Sequence, residues 1–168
     1  MRAITMTAPG GPEQLKLDDI STPEISSPNE ILIKIHAAGV NPVDTKLRQN
    51  GVYFADSPRH VLGCDGAGVI TEVGADCTRF QPGDEVYYFN GGLGGEGGNY
   101  AEIAVVDERY VARKPGNLSF EEAAATPLAL ITAWESLFNR GTLYAGAEIL
   151  IHAGAGGVTI ATMASSSS

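Results

Sequence analysis

The chain has 168 residues, of which 43% are hydrophobic and 18% charged, and its formal net charge is −9. This composition is typical of a folded globular protein, and the negative charge argues against nucleic acids and anionic membranes as partners. No apolar run reaches the roughly 20 residues of a membrane helix, and no signal peptide is evident. The only two cysteines, Cys64 and Cys77, form no disulfide framework and favour a reducing cytoplasm.

The first part of the chain is predicted to consist of short strands. Ile31, Ile33 and Ile35 fall on one face of a strand at 30–38. A short helix is expected at 45–49, ending near Gly51. Turn residues and the glycine-rich loop 90–99 separate the other predicted strands, which lie at 2–7, 15–20, 69–73, 85–89, 100–106 and 110–114.

After residue 118 the sequence predicts helices in place of short strands. Ser119 and Glu122 have the spacing of a capping box, which predicts the start of a helix over 121–125. Pro127 interrupts that helix, and a second one is expected over 128–139. Four residues of this second helix have helical spacing and are predicted to be buried: Leu130, Trp134, Leu137 and Phe138.

A glycine cluster follows the last apolar run. Residues 147–152 predict a buried strand, and AGAGGV follows at 153–158. This pattern is typical of nucleotide-binding βαβ units, in which backbone N–H groups approach a pyrophosphate; the alternative is an ordinary glycine turn. Thr159 replaces the usual third glycine, and no second strand or acidic residue follows. We therefore expect a dinucleotide-binding unit that is incomplete in this chain.

Taken in order, the motifs of the chain resemble those of the medium-chain dehydrogenase/reductase superfamily, and most of all its zinc-free quinone oxidoreductases and enoyl-type reductases. The motifs are AGVNPVD at 38–44, LGCDGAGVI at 62–70, VG at 73–74, FQPGDEV at 80–86, YAE at 100–102, AAA at 123–125, TAW at 132–134 and AGAGGV at 153–158. The resemblance implies a mainly β GroES-like barrel domain over 1–118. Residues 119–168 would then be linking helices and the first strand and glycine loop of an incomplete α/β Rossmann domain.

The resemblance also bears on metal binding. The zinc alcohol dehydrogenases of this superfamily have a cysteine where this chain has Asn41, a histidine where it has Cys64, and a cysteine near Leu128. Catalytic zinc needs three protein ligands, and residues 90–106 contain none of the cysteines that hold the structural zinc. We therefore expect no zinc. Without a Lewis acid to assist alcohol oxidation, the resemblance implies NADPH-dependent reduction of a quinone or α,β-unsaturated carbonyl by direct hydride transfer.

Site residues follow from the same resemblance. Asn41 is the catalytic candidate, whose amide would bond a ribose hydroxyl or a substrate oxygen; otherwise it is a turn residue before Pro42. Tyr53 is a candidate for stacking on a quinone, or else part of the core. Thr132 would contact the cofactor or only bond its own helix. The cofactor-binding set is Asn41, Thr132, Gly154, Gly156, Gly157 and Val158.

Two alternatives stay open. In one, the chain is a catalytically incompetent GroES-like fragment of such an oxidoreductase, and the unpaired strand edge at 147–152 suggests self-association into a homodimer. In the other, it is a zinc-type alcohol dehydrogenase, which would require bound metal. Cys64 and Asp65 stand where the zinc enzymes have His-Glu, and we expect them to serve packing. NADPH is preferred over NADH, although the segment that normally decides between them is missing from this chain.

Overall fold

The structure is a computed structural model that describes residues 1–53, 60–93, 97–141, 143–144, 146–152 and 155–166, with the side chains of 163–166 left aside. Within these residues the strands are β1 (Arg2–Met6), β2 (Leu15–Asp19), β3 (Glu30–Gly39), β4 (His60–Val61), β5 (Asp65–Val73), β6 (Glu85–Phe89), β7 (Ile103–Asp107) and β8 (Val111–Arg113). They form a three-stranded sheet in the order β2-β1-β4 and a five-stranded sheet in the order β7-β3-β5-β6-β8. Every strand pair is antiparallel.

The helices cover the ends of these sheets. They are α1 (Pro42–Asn50), α2 (Phe120–Ala124), α3 (Pro127–Trp134) and α4 (Gly157–Ser166), and a π-helical segment, Glu135–Arg140, continues α3. The predicted capping box is confirmed, since Glu122 N–H donates to Ser119 Oγ at 3.1 Å and Ser119 N–H donates to Glu122 Oε2 at 2.8 Å. No helix among the described residues is long and apolar enough to cross a bilayer.

The main core lies against the five-stranded sheet. The alternation predicted for β3 is confirmed, because Ile31 and Ile33 on one face are fully buried, while Lys34 on the opposite face is exposed. The buried members of this core are Ile31, Ile33, Ile70, Phe80, Val86, Tyr88, Ala104, Val106 and Val111. Two smaller clusters, centred on Met6 and on Ala67, lie under α1 and α2 respectively.

The pairing of β3 with β5 contains two irregularities. One leaves Thr71 of β5 without an opposite residue, and the other does the same for His36 of β3. Because the extra residues lie on different strands, the two shifts cancel, and Gly39 pairs with Asp65 in the register that Ile31 and Val73 set at the other end. Thr71 Oγ1 donates to the carbonyl of Leu32 at 3.2 Å.

Several predictions about secondary structure need correction. The helix predicted at 45–49 begins at Pro42, and the strand predicted at 69–73 begins at Asp65. The strand predicted at 147–152 is not formed, because no described strand supplies the neighbouring ladder that a β-strand requires. The helix expected over 128–139 is α-helical only to Trp134 and then takes the wider π-helical turn. The strand expected from residue 100 begins at Ile103, because Ala101 makes only an isolated bridge with Ala3.

The prediction that one face of α3 is core is also wrong in part. Leu137 and Ala133 are buried, but Trp134 is 57% exposed and Leu130 39% exposed. Trp134 contacts Phe138 instead, with ring centroids 4.4 Å apart. Helical spacing identifies an apolar stripe, but only the packing of other elements decides how much of that stripe is covered.

Candidate active site

Asn41 lies at the junction between β3 and α1. It is extended, with φ −116° and ψ 156°, and directly precedes Pro42, the first residue of α1. Its backbone N–H donates to Asp44 Oδ2 at 2.7 Å, and the N–H of Asp44 donates back to the Asn41 carbonyl at 3.0 Å. A proline at the first helical position and an acidic residue in the first turn are both favourable at a helix start. The site residue is therefore fixed by the cap of α1.

Asp65 connects the Asn41 turn to α3. Its Oδ2 accepts from Asn41 Nδ2 at 2.9 Å, and its Oδ1 accepts from the backbone N–H of Leu128, in the first turn of α3, at 3.0 Å. The backbone of Asp65 pairs with Gly39 at the end of the β3–β5 ladder. One carboxylate thus joins two segments that lie far apart in the sequence.

The close approach at this point depends on Gly39. A Cβ at Gly39 would lie 2.3 Å from the carbonyl oxygen of Ala124 and 2.9 Å from Cβ of Asp65. Because both neighbours belong to packed backbone or to the site itself, only glycine allows α2 to lie this close to the end of β3. The turn from α2 to α3 is thereby held over the Asp65 carboxylate.

Asp65 is only 1% exposed. Burial raises the pKa of its carboxyl from 3.8 to about 6, the bonds from Asn41 and Leu128 oppose that rise, and the nearby charge of Asp44 adds to it. The desolvation cost is the largest effect, as expected for a carboxylate that has left water. At neutral pH the group is still mainly ionised, which favours its two donors.

Cys64, next in the chain to Asp65, is fully buried. Burial raises the pKa of its thiol to about 12, and the carboxylates of Asp44 and Asp65 raise it further in the same direction. A bound zinc ion would itself deprotonate a coordinating thiol, so Cys64 could supply one ligand, but catalytic zinc needs three protein ligands. Asn41 offers an amide already bonded to Asp65, and Leu128 offers no ligand atom on its side chain. The residues at the three zinc positions therefore do not fit zinc.

A second buried carboxylate, that of Asp44, helps to hold the turn at Asn41 in place. Its Oδ2 also accepts from the hydroxyl of Tyr100 at 3.0 Å, and burial followed by the charge of Asp44 raises the pKa of that hydroxyl. Within the described part of the chain, no group of three or more His, Cys, Asp or Glu residues is arranged to hold a metal ion.

The segment that leads into Cys64 is clamped by Asn99. The side-chain Nδ2 of Asn99 donates to the carbonyls of Gly63 and Asn90, each at 3.0 Å. Gly63 has a positive φ of +97°, and a Cβ there would lie 2.6 Å from the Tyr100 ring. The glycine therefore permits both the turn and the contact with the tyrosine.

The other predicted site residues are more exposed. Thr132 lies on the solvent side of α3, one turn after Leu128, and its hydroxyl donates to the Leu128 carbonyl at 2.7 Å. Tyr53 is 74% exposed just beyond α1, so it does not belong to the core. Asn41 and Thr132 are linked through Asp65 and Leu128, whereas the described residues give no such link from Tyr53.

The glycine cluster leads into α4. Gly157 is the first residue of this helix, Val158 follows it, and the N–H of Ile160 donates to the Gly156 carbonyl at 2.9 Å. A Cβ at Gly157 would meet no described atom within 4 Å, apart from its own neighbours and helix backbone. Helix α4 packs against α3. Gly154 lies outside the described residues.

The sequence analysis did not identify the connecting role of Asp65. The available signal was its position as the single acidic residue in the otherwise apolar and glycine-rich stretch 62–70. A buried carboxylate requires donors, so a partner could have been expected. Which partner it finds depends on the packing of α3, whose Leu128 is 63 residues away in the sequence.

Comparison with known proteins agrees with this architecture. The family model of the alcohol dehydrogenase GroES-like domain matches residues 27–116. Quinone oxidoreductase of Mus musculus is 36% identical over 162 residues, which are 96% of this chain and 48% of that protein. The 2-methylene-furan-3-one reductase of Solanum lycopersicum is 43% identical over 164 residues, which are 94% and 42% respectively.

Solved structures show the same likeness. The crystal structure of Escherichia coli quinone oxidoreductase complexed with NADPH superposes with a TM-score of 0.80 at 32% identity, over 96% of this chain and 48% of that one. The chain thus spans about half the length of the relatives that it matches. The predicted mainly β GroES-like fold is confirmed. The chain belongs to the alcohol dehydrogenase GroES-like domain family, in the quinone oxidoreductase and enone reductase branch of the medium-chain dehydrogenase/reductase superfamily.

Proposed function

We propose that the chain belongs to an NADPH-dependent oxidoreductase that reduces a quinone or an α,β-unsaturated carbonyl by direct hydride transfer, without zinc. One observation carries the zinc-free part: Asn41 is tied to Asp65 by a 2.9 Å hydrogen bond, at a position where the zinc enzymes have a ligand. Of the side chains at the three zinc positions, that of Cys64 alone could bind zinc, and catalytic zinc needs three protein ligands. The printed names of the relatives, quinone oxidoreductase and 2-methylene-furan-3-one reductase, support the substrate class.

NADPH is the proposed cofactor because a structurally similar relative is known in complex with it. When bound, it supplies the hydride. We assign residues 119–168 to the opening of a dinucleotide-binding unit, in which Gly154, Gly156, Gly157 and Val158 hold the pyrophosphate. The position of Gly157 and Val158 in the first turn of α4 supports this assignment, since the N–H groups of a helix N-terminus favour phosphate. Thr132, exposed on α3, completes the contacts.

The reactive end of the cofactor is assigned to Asn41. Its side chain is partly exposed and held in one place by Asp65, so it would orient the nicotinamide ribose or the substrate oxygen without reorganisation. The exposed ring of Tyr53 would stack on a flat quinone.

The negative charge of the chain and its free thiols at Cys64 and Cys77 support a cytoplasmic enzyme that binds neither nucleic acid nor membrane. We also propose a homodimer.

The proposal is tested with the chain itself by titration with NADPH. Trp134 is the single tryptophan and lies two residues from Thr132, so bound NADPH should quench its fluorescence in a saturable way. Turnover is then followed with NADPH deuterated at C4 and either a quinone or an enone, with deuterium expected on the substrate carbon. Analytical ultracentrifugation of the same sample tests the dimer.

Matched variants assign the role of Asn41. N41A should give a saturable fluorescence response only at about tenfold higher NADPH, the equivalent of one hydrogen bond, and should lose most deuterium transfer, while N117A, at an exposed asparagine, should behave as wild type. The absence of any saturable response at about millimolar NADPH, which is the upper end of ordinary cofactor affinities, would favour the incompetent fragment. Activity that a chelator abolishes would favour the zinc enzyme.

A further inference from the structure

A buried carboxylate at the centre of the site needs an explanation. Asp65 is only 1% exposed, and placing an ionisable group there costs free energy unless donors surround it. Both carboxylate oxygens have a donor, Asn41 Nδ2 on one side and the Leu128 N–H on the other. An alanine or a leucine would fill such a position at lower cost if packing were its only role.

We infer that Asp65 is a positioning residue that fixes the orientation of the Asn41 amide, with Nδ2 toward the carboxylate and Oδ1 away from it. The inference rests on the proposed function for the identity of the bound group, but not for the orientation itself. An ionised carboxylate can only accept hydrogen bonds, so it can bond the NH₂ end of the amide and not the carbonyl end. Asn41 Oδ1 is therefore directed away from Asp65.

The carboxylate cannot easily turn to accommodate the opposite orientation. Its other oxygen is bonded to the backbone N–H of Leu128 in the first turn of α3, where the helix dipole also favours an anion. Its backbone is held by the pairing with Gly39. If the Asn41 amide flipped, its carbonyl oxygen would face a carboxylate oxygen, and two acceptors would meet without a proton between them.

This orientation selects among the groups that Asn41 could bind. The capping box of α1 sets the Asp44 N–H against the Asn41 side chain. The amide oxygen has two lone pairs, so it can also accept from a hydroxyl, such as a ribose hydroxyl of the dinucleotide. An oxygen that gains negative charge during the reaction would be repelled by the same atom. Asn41 thus orients the cofactor, and stabilisation of the substrate oxygen falls to another group.

Nuclear magnetic resonance of the full chain labelled with ¹⁵N-asparagine tests the orientation without cofactor. The Asn41 side-chain amide should shift as Asp65 titrates, with a midpoint at the pKa of about 6. The other titratable groups around Asp65 are Asp44, Cys64 and Tyr100. The Asn99 side chain is the internal control, because its Nδ2 donates only to backbone carbonyls and has no carboxylate partner among the described residues.

Two variants complete the test. D65N should remove the titration of the Asn41 amide and weaken NADPH binding about tenfold, the equivalent of one hydrogen bond. The double variant N41D/D65N exchanges the two groups, so it keeps an amide–carboxylate pair with an acceptor at position 41 and should recover part of the affinity. Urea unfolding of the same variants measures the structural contribution separately, and affinity that recovers without a matching recovery of stability assigns the effect to the acceptor at position 41.

The outcome is decided on the wild-type spectrum even if D65N does not fold. An Asn41 amide that does not respond to pH between about 4 and 8, the range in which a carboxyl with a raised pKa titrates, overturns the inference. If the amide titrates but the wild-type chain binds no NADPH, the positioning role stands and the proposed function fails.

Discussion

The hydroxyl of Tyr100 and the carboxylate of Asp44 meet in a 3.0 Å hydrogen bond across 56 residues of sequence. Asp44 is 3% exposed, and its Oδ1 is buried with no partner among the described residues. Its Oδ2 carries both bonds, from Tyr100 and from the Asn41 N–H. The turn that presents Asn41 therefore depends on a tyrosine from the loop after the glycine-rich segment.

The variant Y100F should destabilise the fold by about 1.5–3 kcal/mol, the usual contribution of a hydrogen bond to a charged group. Urea unfolding followed by Trp134 fluorescence measures the change. Y144F is the matched control, since Tyr144 is 73% exposed and should lose almost nothing. Equal losses in the two variants would show that the Tyr100 hydroxyl does not support Asp44.

The variant G39A should be destabilised by about 1–3 kcal/mol, as is usual when a side chain is forced into packed surroundings. The new Cβ would lie 2.3 Å from the Ala124 carbonyl oxygen, so α2 must move. In G116A the added Cβ meets no atom within 4 Å, and this control should unfold at the wild-type urea concentration. A G39A variant as stable as G116A would contradict the close approach of α2.

The stability of the wild type relative to D65N should fall as the pH rises from about 4 to about 7. The pKa of Asp65 is raised by folding from 3.8 to about 6, so the folded state holds the proton more tightly. Its stabilising effect is complete below the unfolded pKa and is lost as the pH passes the folded value, with a total change on the order of 3 kcal/mol.

Urea unfolding of both proteins at several pH values measures this difference. D76N removes a negative charge from an exposed position and serves as the control, whose difference from wild type should vary little over the same range. A difference between wild type and D65N that grows with pH would reverse the sign and contradict the burial of an unfavourable charge.

The thiol of Cys64 should react with iodoacetamide only when the protein unfolds. It is fully buried and its pKa is about 12, so thiolate is scarce at pH 8 in the folded chain. Cys77 is the internal comparison, because it is only partly buried, although its Sγ donates to the Glu30 carbonyl at 3.3 Å. Mass spectrometry of timed samples should show Cys77 labelled first, and early labelling of Cys64 would contradict the packing.

Strand β3 and the start of α2 could be predicted because their signals are local. The alternation along β3 and the capping box at Ser119 depend on residues close in sequence, and both are confirmed. The exposure of Trp134 could not be predicted, because it depends on which elements pack over α3. Residues 146–152 show the same limit, since an apolar run becomes a strand only when another strand pairs with it.

The residues of the candidate site could be proposed from the sequence, but the hydrogen bonds that connect them could not. Asn41 was recognisable from its motif, yet its anchor on Asp65 is 24 residues away, and the second anchor at Leu128 is 63 residues from Asp65. Such bonds are set by the β3–β5 register and by the position of α3. The assigned roles of Asn41, Tyr53, Thr132 and the glycine loop remain predictions that the experiments above test.

Because His36 has no opposite residue in β5, the packing of α2 and the register of Gly39 with Asp65 can be altered separately. Its ring stacks on Phe120 at the start of α2, with centroids 4.5 Å apart, while the residues on either side keep their partners in β5. Deletion of His36 would remove the bulge and the contact of its ring with Phe120. Gly39 would still pair with Asp65. Deletion of one residue would therefore change how α2 packs on β3, while the backbone that carries Asn41 and Asp65 keeps its register.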